Sequence, residues 1–189
     1  SDTHNYRGTK LNLWKVDKKY NEEIIETLEA NFGELENKID LAEAIISASY
    51  NSVEDNLQDY LDSLIYSKNN SFLEELDNFN IEVKFRSLLS NSVAYITMQR
   101  CGINPFNYFS LDDFREIIEF NTIDTLAHLG TATSDIAEKS LREIHKTIKD
   151  LQLKEKNKNP IFANKENLDD TIINKENERS VSYESRIQS

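Results

Sequence analysis

The stretch Leu88-Leu-Ser-Asn-Ser-Val-Ala-Tyr-Ile-Thr-Met98 decides the fold of this chain. Its apolar side chains fall around much of the circumference of a helix, and a helix of that kind is usually surrounded by other helices. We therefore predict a long central helix that begins at Asn80 and ends at Gly102. The 189 residues include only 4 glycines and 2 prolines, which favours long helices joined by short connections.

Three helices are predicted before this stretch. An apolar residue at every fourth position predicts a first helix over residues 17–32, with Gly33 at its C-terminal end. Asp40 is expected to cap a second helix, which ends near Ser49. The residues that follow Ser52 resemble a capping box, so a third helix is predicted to begin there.

Further helices are predicted on either side of the central one. Residues 71–74 have the complete capping-box pattern and predict a short helix. Ser110 is expected to open another helix, followed by a short one that Gly130 ends. Thr133 or Ser134 then caps a last long helix. The side chains expected to point inward between residues 110 and 130 are Phe114, Ile117, Ile118, Phe120, Ile123, Leu126 and Leu129.

The predicted fold class is all-α, an irregular bundle of about six to eight helices with a short N-terminal arm and a polar C-terminal tail. Residues 1–16 are assigned to the arm, which lays Trp14 on the core as a short strand or as extended chain. Residues 17–156 form an acidic helical domain. Residues 157–189 are rich in polar and charged residues, which predicts a linker or a disordered tail.

The net charge of −12 is concentrated in one part of the chain. Between Tyr20 and Glu82 there are sixteen acidic and two basic residues, a charge of −14, so the remainder carries about +2. Nucleic acids and anionic membranes are disfavoured as partners, because they bind through lysine and arginine. A basic protein surface would be attracted to the acidic stretch. The alternative is that these carboxylates only keep a helical bundle soluble.

No motif of a catalytic or metal site is present. The three histidines form no HExxH or zinc-site spacing, and no phosphate-binding loop or nucleophile elbow occurs. His128 and His145 are interpreted as ordinary helix histidines, and Cys101, which has apolar neighbours, as a buried thiol. We therefore predict a protein that is not an enzyme, with no catalytic residues, no metal ligands and no cofactor.

The sequence favours a cytoplasmic location. The single cysteine excludes an intrachain disulfide, which fits a reducing compartment. No apolar run is long enough to cross a membrane, and the N-terminal residues do not have the pattern of a signal peptide.

Candidate partner-binding residues come from two features of the sequence. The first is the acidic stretch. The second is a set of small or polar residues at predicted helix junctions, which either cap helices or form one polar groove for a partner. The candidates are Glu22, Glu26, Glu54, Asp55, Asp59, Asp62, Arg100, Asn121 and Asp135.

Several segments of the chain resemble a module found in one group of proteins. These segments are Asn91-Ser-Val-Ala-Tyr95, Gln99-Arg-Cys-Gly102, Asp112-Asp-Phe-Arg115, Phe120-Asn-Thr122 and Leu129-Gly-Thr-Ala-Thr-Ser-Asp-Ile-Ala137. They are similar to parts of LtrC-like and ArdC-like antirestriction proteins of Gram-positive conjugative plasmids and integrative elements. The resemblance covers most of residues 1–165. It implies a mobile-element setting, in which DNA enters a new host and is protected from its defences.

The same resemblance bears on metal chemistry. ArdC-like proteins contain a zincin-type metallopeptidase region, in which a glutamate follows an HExxH helix. The position of that glutamate matches Asn91 or the neighbouring Ser90 here, and no HExxH precedes it. The resemblance therefore implies that the metal site was lost or never existed in this chain.

Three functions follow from these observations. The leading one is a non-catalytic protein-interaction domain of a mobile-element protein. Its acidic surface would bind a basic partner, and the DNA-binding cleft of a host nuclease is one candidate. The second is a metal-less remnant of a zincin-type scaffold. The third is a DNA-binding accessory module, for which Lys84, Arg86, Arg100, Arg115 and the basic residues of the last helix, Arg142 among them, would supply the positive charge.

Overall fold

The computed structural model describes residues 16–158, and within them the fold is all-α, as predicted. Nearly all of the predicted arm and tail lies outside these described residues. No helix between residues 16 and 158 is long and apolar enough to cross a bilayer. The α-helices are α1 (Asn21–Phe32), α2 (Leu41–Tyr66), α3 (Asn78–Arg100) and α4 (Ile123–Lys158), and the 3-10 helices are Lys18–Tyr20, Pro105–Asn107 and Leu111–Glu119.

The first helix is close to its prediction. Asp17 caps the 3-10 turn that leads into α1, because its side chain accepts a hydrogen bond from the backbone N–H of Lys19. Gly33 ends α1 at a φ of 86°, a backbone conformation that favours glycine. Ile24 and Leu28 are fully buried, which confirms the apolar face that the sequence predicts.

The predicted central helix is α3, and its end at Gly102 is confirmed. Gly102 has a φ of 76°, and the N–H of Ile103 donates to the carbonyl of Met98, a Schellman ending. The predicted start at Asn80 is wrong by two residues. Asp77 caps α3 by accepting from the N–H of Asn80 at 2.9 Å, so Asn80 lies inside the first turn. The buried apolar residues of α3 are Ile81, Phe85, Leu88, Leu89, Val93, Ala94 and Met98.

The predicted break between a second and a third helix does not exist, because α2 is one helix of 26 residues. The hydroxyl of Ser49 donates to the carbonyl of Ile45 at 2.7 Å, so it is satisfied within the helix. Ser52 is buried inside α2, and its carbonyl accepts a hydrogen bond from the side chain of Asn56 at 2.7 Å. Burial of the first half of α2 therefore outweighs the local capping pattern.

Residues 71–74 form turns, and the predicted short helix is wrong. The hydroxyl of Ser71 accepts from the N–H of Leu73, but Glu74 accepts from the N–H of Asn70 and does not complete a capping box. The N–H of Phe72 donates to the side chain of Asn121 at 2.9 Å. The turn is therefore fixed by a residue that lies far away in sequence.

Gly130 does not end a helix, and neither Thr133 nor Ser134 starts one, because α4 runs through all three. The hydroxyl of Thr133 donates to the carbonyl of Leu129 at 2.7 Å and therefore does not cap a new helix. A Cβ atom at Gly130 would meet no atom within 4 Å beyond its chain neighbours and the adjacent backbone of α4, so this glycine lies on an open side of the helix. Leu129 is buried as predicted, whereas Ile123 and Leu126 are exposed.

The predicted helix at Ser110 forms, but as the 3-10 helix Leu111–Glu119. Ser110 and Asp113 make a reciprocal capping box at its start. A 3-10 helix has about three residues per turn, so Phe114 and Ile117 share a face from which Ile118 is excluded. Phe120 is buried and Phe114 is half-buried, but Ile117 and Ile118 are exposed, which corrects the prediction for these two residues.

The core lies between α2, α3 and the first half of α4. Three hydrogen bonds link α2 to α4, and their partners run in opposite directions along the two helices, so these helices are antiparallel. They join Ser67 to His128, Tyr60 to Asp135, and Asn56 to Lys139. The core residues include Leu57, Leu61, Leu64, Phe85, Leu88, Leu89, Val93, Phe120, Ala132 and Ile136.

Candidate partner-binding surface

The exposed face of α2 carries three carboxylates in a row. Asp55, Asp59 and Asp62 lie at positions i, i+4 and i+7, so they share one side of the helix. All three are exposed, whereas Leu57, Leu61 and Leu64 face the core from the opposite side. With a rise of about 1.5 Å per residue, the three positions extend over about 10 Å. We call Asp55, Asp59 and Asp62 the acidic stripe.

Within residues 16–158, the carboxylates of the acidic stripe form no ion pair, although Lys139 lies nearby and bonds to Asn56. Among residues 16–158, no lysine or arginine lies within ion-pair distance of any of the three. The stripe therefore presents three negative charges to solvent. Exposed charges of this kind attract a cationic surface, and salt weakens the attraction.

Glu54 does not belong to the acidic stripe, although the sequence suggests it as a partner-binding residue. Its carboxylate lies 2.7 Å from Nε of Arg86 on α3. The same arginine contacts Glu82 through Nη2 at 2.5 Å. Glu54 therefore contributes to an ion pair that joins α2 to α3, and much of its charge is already compensated.

Asp135 lies beside the acidic stripe, on α4. Its Oδ2 accepts a hydrogen bond from the hydroxyl of Tyr60 at 3.3 Å. Burial raises the pKa of Tyr60, and the negative charges of Asp135 and Asp59 raise it further. Tyr60 is therefore a neutral donor between two carboxylates. Lys139 lies one turn further along α4, and its Nζ donates to the side chain of Asn56 at 2.6 Å.

Glu22 and Glu26 are exposed one turn apart on α1, on the side opposite the buried Ile24 and Leu28. They form a second acidic pair on a different helix from the stripe. Glu29, also on α1, differs from Glu22 and Glu26 because its carboxylate has a cationic partner. Nζ of Lys38 lies 2.6 Å from it, and this hydrogen bond lowers the pKa of Glu29.

Arg100, Asn121 and Asp135 have three different surroundings, and of the residues at the predicted helix junctions Arg100 and Ser134 line one groove. Asn121 holds the turn at Phe72 through its side-chain oxygen. Arg100 is in the last turn of α3, where it lines a groove between α3 and α4. Asp135 faces α2 through Tyr60. Only Asp135 of the three is therefore retained as part of the candidate surface.

An apolar groove between α3 and α4 was not found from the sequence. Its apolar lining residues are Tyr95, Ile96, Ala137 and Leu141, and its polar lining residues are Gln99, Arg100, Ser134 and Glu138. We call this the α3–α4 groove. Its two walls come from segments about forty residues apart, and the sequence pattern does not show that they meet.

A serine and a histidine approach each other at the end of α2, as they do in hydrolases. Oγ of Ser67 lies 3.0 Å from Nε2 of His128. Within residues 16–158, no carboxylate is hydrogen-bonded to the other nitrogen of His128, so the residue that orients the base in a triad is missing. No group of three or more metal-binding side chains occurs in the same part of the chain. The pair joins the C-cap residue of α2 to α4.

Cys101 is expected to resist alkylation in the folded protein. Its side chain is buried, and burial raises the pKa of its thiol to about 12. At pH 8 only about one molecule in ten thousand would carry the reactive thiolate. Iodoacetamide should therefore label Cys101 in denaturant but not in buffer, as measured by the mass of the intact protein. Rapid labelling without denaturant would show that the end of α3 opens in the native state.

Comparison with known proteins gives no relative: no family model, no curated protein and no solved structure matches this chain. The resemblance to antirestriction proteins therefore stays a prediction.

Proposed function

We propose that this domain binds a partner protein that carries a small basic surface, and that it catalyses no reaction. The acidic stripe and Asp135 form the contact. The observation that carries the proposal is the set of exposed carboxylates on α2 for which no described lysine or arginine is an ion-pair partner. The resemblance makes a protein of host defence one candidate partner.

Charge density supports a compact basic cluster better than a long DNA-binding cleft. The acidic stripe has three charges over about 10 Å, or roughly one per 3–5 Å. Duplex DNA carries one charge per about 1.7 Å of its axis. A cleft built for DNA would therefore meet too few charges on this surface. A group of two to four lysines or arginines would match the stripe.

Direct binding of DNA has weaker support, because several of the basic residues that would contact phosphates already have acidic partners. Nζ of Lys84 lies 2.9 Å from Glu119 and 3.9 Å from Glu116. Arg86 contacts Glu54 and Glu82. Phosphate binding would have to compete with these ion pairs.

Neutralising the acidic stripe tests the proposal. In the triple variant Asp55→Asn, Asp59→Asn, Asp62→Asn, we expect the affinity for a deca-lysine peptide to fall about 10- to 100-fold at low salt. This range corresponds to about 0.5–1 kcal/mol for each charge removed. Isothermal titration at about 50 mM salt measures the affinity, and the difference should shrink as salt screens the charges.

A matched control separates the acidic stripe from net charge. The triple variant Asp112→Asn, Asp124→Asn, Asp150→Asn removes the same number of exposed carboxylates elsewhere. It should lose less than about threefold in affinity, since screening limits the effect of distant charges. An equal loss in both variants would contradict the proposal, and so would the absence of any binding by the native chain.

A further inference from the structure

A second apolar concavity adjoins the α3–α4 groove, between α3 and the 3-10 helix Leu111–Glu119. Its volume is about 350 Å³. Within residues 16–158, none of the side chains that line it is charged, although 30% of the residues in the chain are charged. Such a surface favours an apolar occupant. We call it the aromatic pocket, and its apolar and aromatic lining residues are Tyr95, Ile96, Phe106, Leu111, Phe114 and Ile117.

Aromatic contacts hold the walls of the aromatic pocket in place. The ring of Tyr95 is edge-on to the ring of Phe106, with 5.7 Å between the centroids, and edge-on to the ring of Phe114 at 5.6 Å. Edge-to-face pairs are a favourable arrangement of aromatic rings. The pocket is therefore preformed, and an occupant does not bear the entropic cost of ordering its walls.

An uncovered leucine lies at the same pocket. Leu111 is 81% exposed although it lines the pocket, because it is the first residue of the 3-10 helix. Ile117, in the same 3-10 helix, is 45% exposed. Removing such side chains from water is favourable in proportion to the apolar area that becomes covered. A projecting leucine and a pocket that accepts an apolar side chain therefore lie side by side.

The aromatic pocket and the α3–α4 groove form one continuous surface, because Tyr95 and Ile96 line both. This surface crosses α3 from the 3-10 helix on one side to Leu141 of α4 on the other. We call the pocket and the groove together the α3 face. Extended apolar surfaces on a folded domain mark sites of association.

The charges of the α3 face suit a second copy of the chain. Because the chain has a net charge of −12, two copies repel each other over most of their surface. Among the described residues, the charged side chains that line the α3 face are Arg100 and Glu138, one of each sign. In a twofold dimer every contact between two different residues occurs twice. Arg100 of each copy can therefore approach Glu138 of the other, so the face is complementary to itself.

We propose that this chain forms a twofold dimer through the α3 face, with Leu111 of each copy in the aromatic pocket of the other. The face combines an apolar surface, a projecting side chain, a pocket that accepts it, and no net charge. No residue of the acidic stripe lines the α3 face, so this dimer and the binding of a basic partner use different surfaces. Each proposal can therefore fail without the other.

Sedimentation equilibrium of the full chain tests the dimer. At about 100 µM we expect a mass of twice 21.9 kDa. Leu111→Glu and Ile117→Glu place a charge on the α3 face and should each raise the dissociation constant about tenfold or more. Ile118→Glu is the matched control, because Ile118 is 62% exposed and lies outside the face. It adds the same charge and should change the constant less than about twofold.

The other outcomes overturn the proposal or support it. A native chain that stays monomeric at about 1 mM would leave the α3 face to another occupant and overturn it. A dimer that persists in both face variants, or one that Ile118→Glu weakens equally, would contradict it too. If a glutamate variant unfolds by circular dichroism, Leu111→Ala replaces it and should also weaken the dimer. Added salt should not dissociate the dimer, since salt screens the repulsion between the two acidic chains.

Discussion

Replacing Phe85 with alanine is expected to lower the free energy of unfolding by about 3–5 kcal/mol. Phe85 is fully buried on α3, and its ring centroid lies 6.2 Å from that of Phe120. The loss combines the transfer of the ring to water with the cavity that it leaves. A domain is typically stable by about 5–15 kcal/mol, so this change could remove much of the stability. Urea denaturation monitored by circular dichroism measures it.

Phe79→Ala is the matched control on the same helix. Phe79 is 72% exposed, so its removal should change the free energy of unfolding by less than about 1 kcal/mol. Comparable losses in the two variants would mean that α3 does not lie at the centre of the core.

Replacing Tyr50 with proline is expected to destabilise the domain by about 3 kcal/mol or more. Tyr50 is exposed and lies inside α2, between the two serines at which the sequence suggested a break. Proline removes one hydrogen bond of a continuous helix and clashes with the preceding turn. Chemical denaturation of the variant measures the loss in the free energy of unfolding.

Tyr50→Ala isolates the backbone effect at the same position. Because the side chain of Tyr50 is 51% exposed, we expect Tyr50→Ala to lower the free energy of unfolding by less than about 1 kcal/mol. If α2 were two helices joined near Tyr50, proline would be tolerated there and the two variants would have similar stability.

Periodicity in the sequence predicts the parts of the fold that depend on nearby residues. The all-α class, the first helix and the central helix with its end at Gly102 all follow from apolar spacing and glycine position. Local capping patterns at Ser52 and Thr133 misled the prediction. The carbonyl of Ser52 and the hydroxyl of Thr133 both make hydrogen bonds within a continuous helix. The burial of residues distant in sequence, and not the local capping pattern, decides where each helix begins and ends.

The candidate site also has residues that the sequence predicts and contacts that it does not predict. Asp55, Asp59 and Asp62 could be found from the sequence because helical spacing alone places them on one face. The ion pair of Glu54 with Arg86 joins residues 32 positions apart, and the contact between Asn121 and Phe72 joins residues 49 apart. Only the packing of the helices reveals these partners and the α3–α4 groove.

Residue-by-residue mapping of the contact tests whether the acidic stripe binds a basic partner. Backbone amide shifts of the full chain can be followed by NMR as the deca-lysine peptide is added at about 50 mM salt. We expect the largest changes at Asp55, Asp59 and Asp62, with a smaller change at Asp135. Changes of equal size at Glu22, Glu26 and the acidic residues of α4 other than Asp135 would show binding by net charge alone and would contradict the proposal.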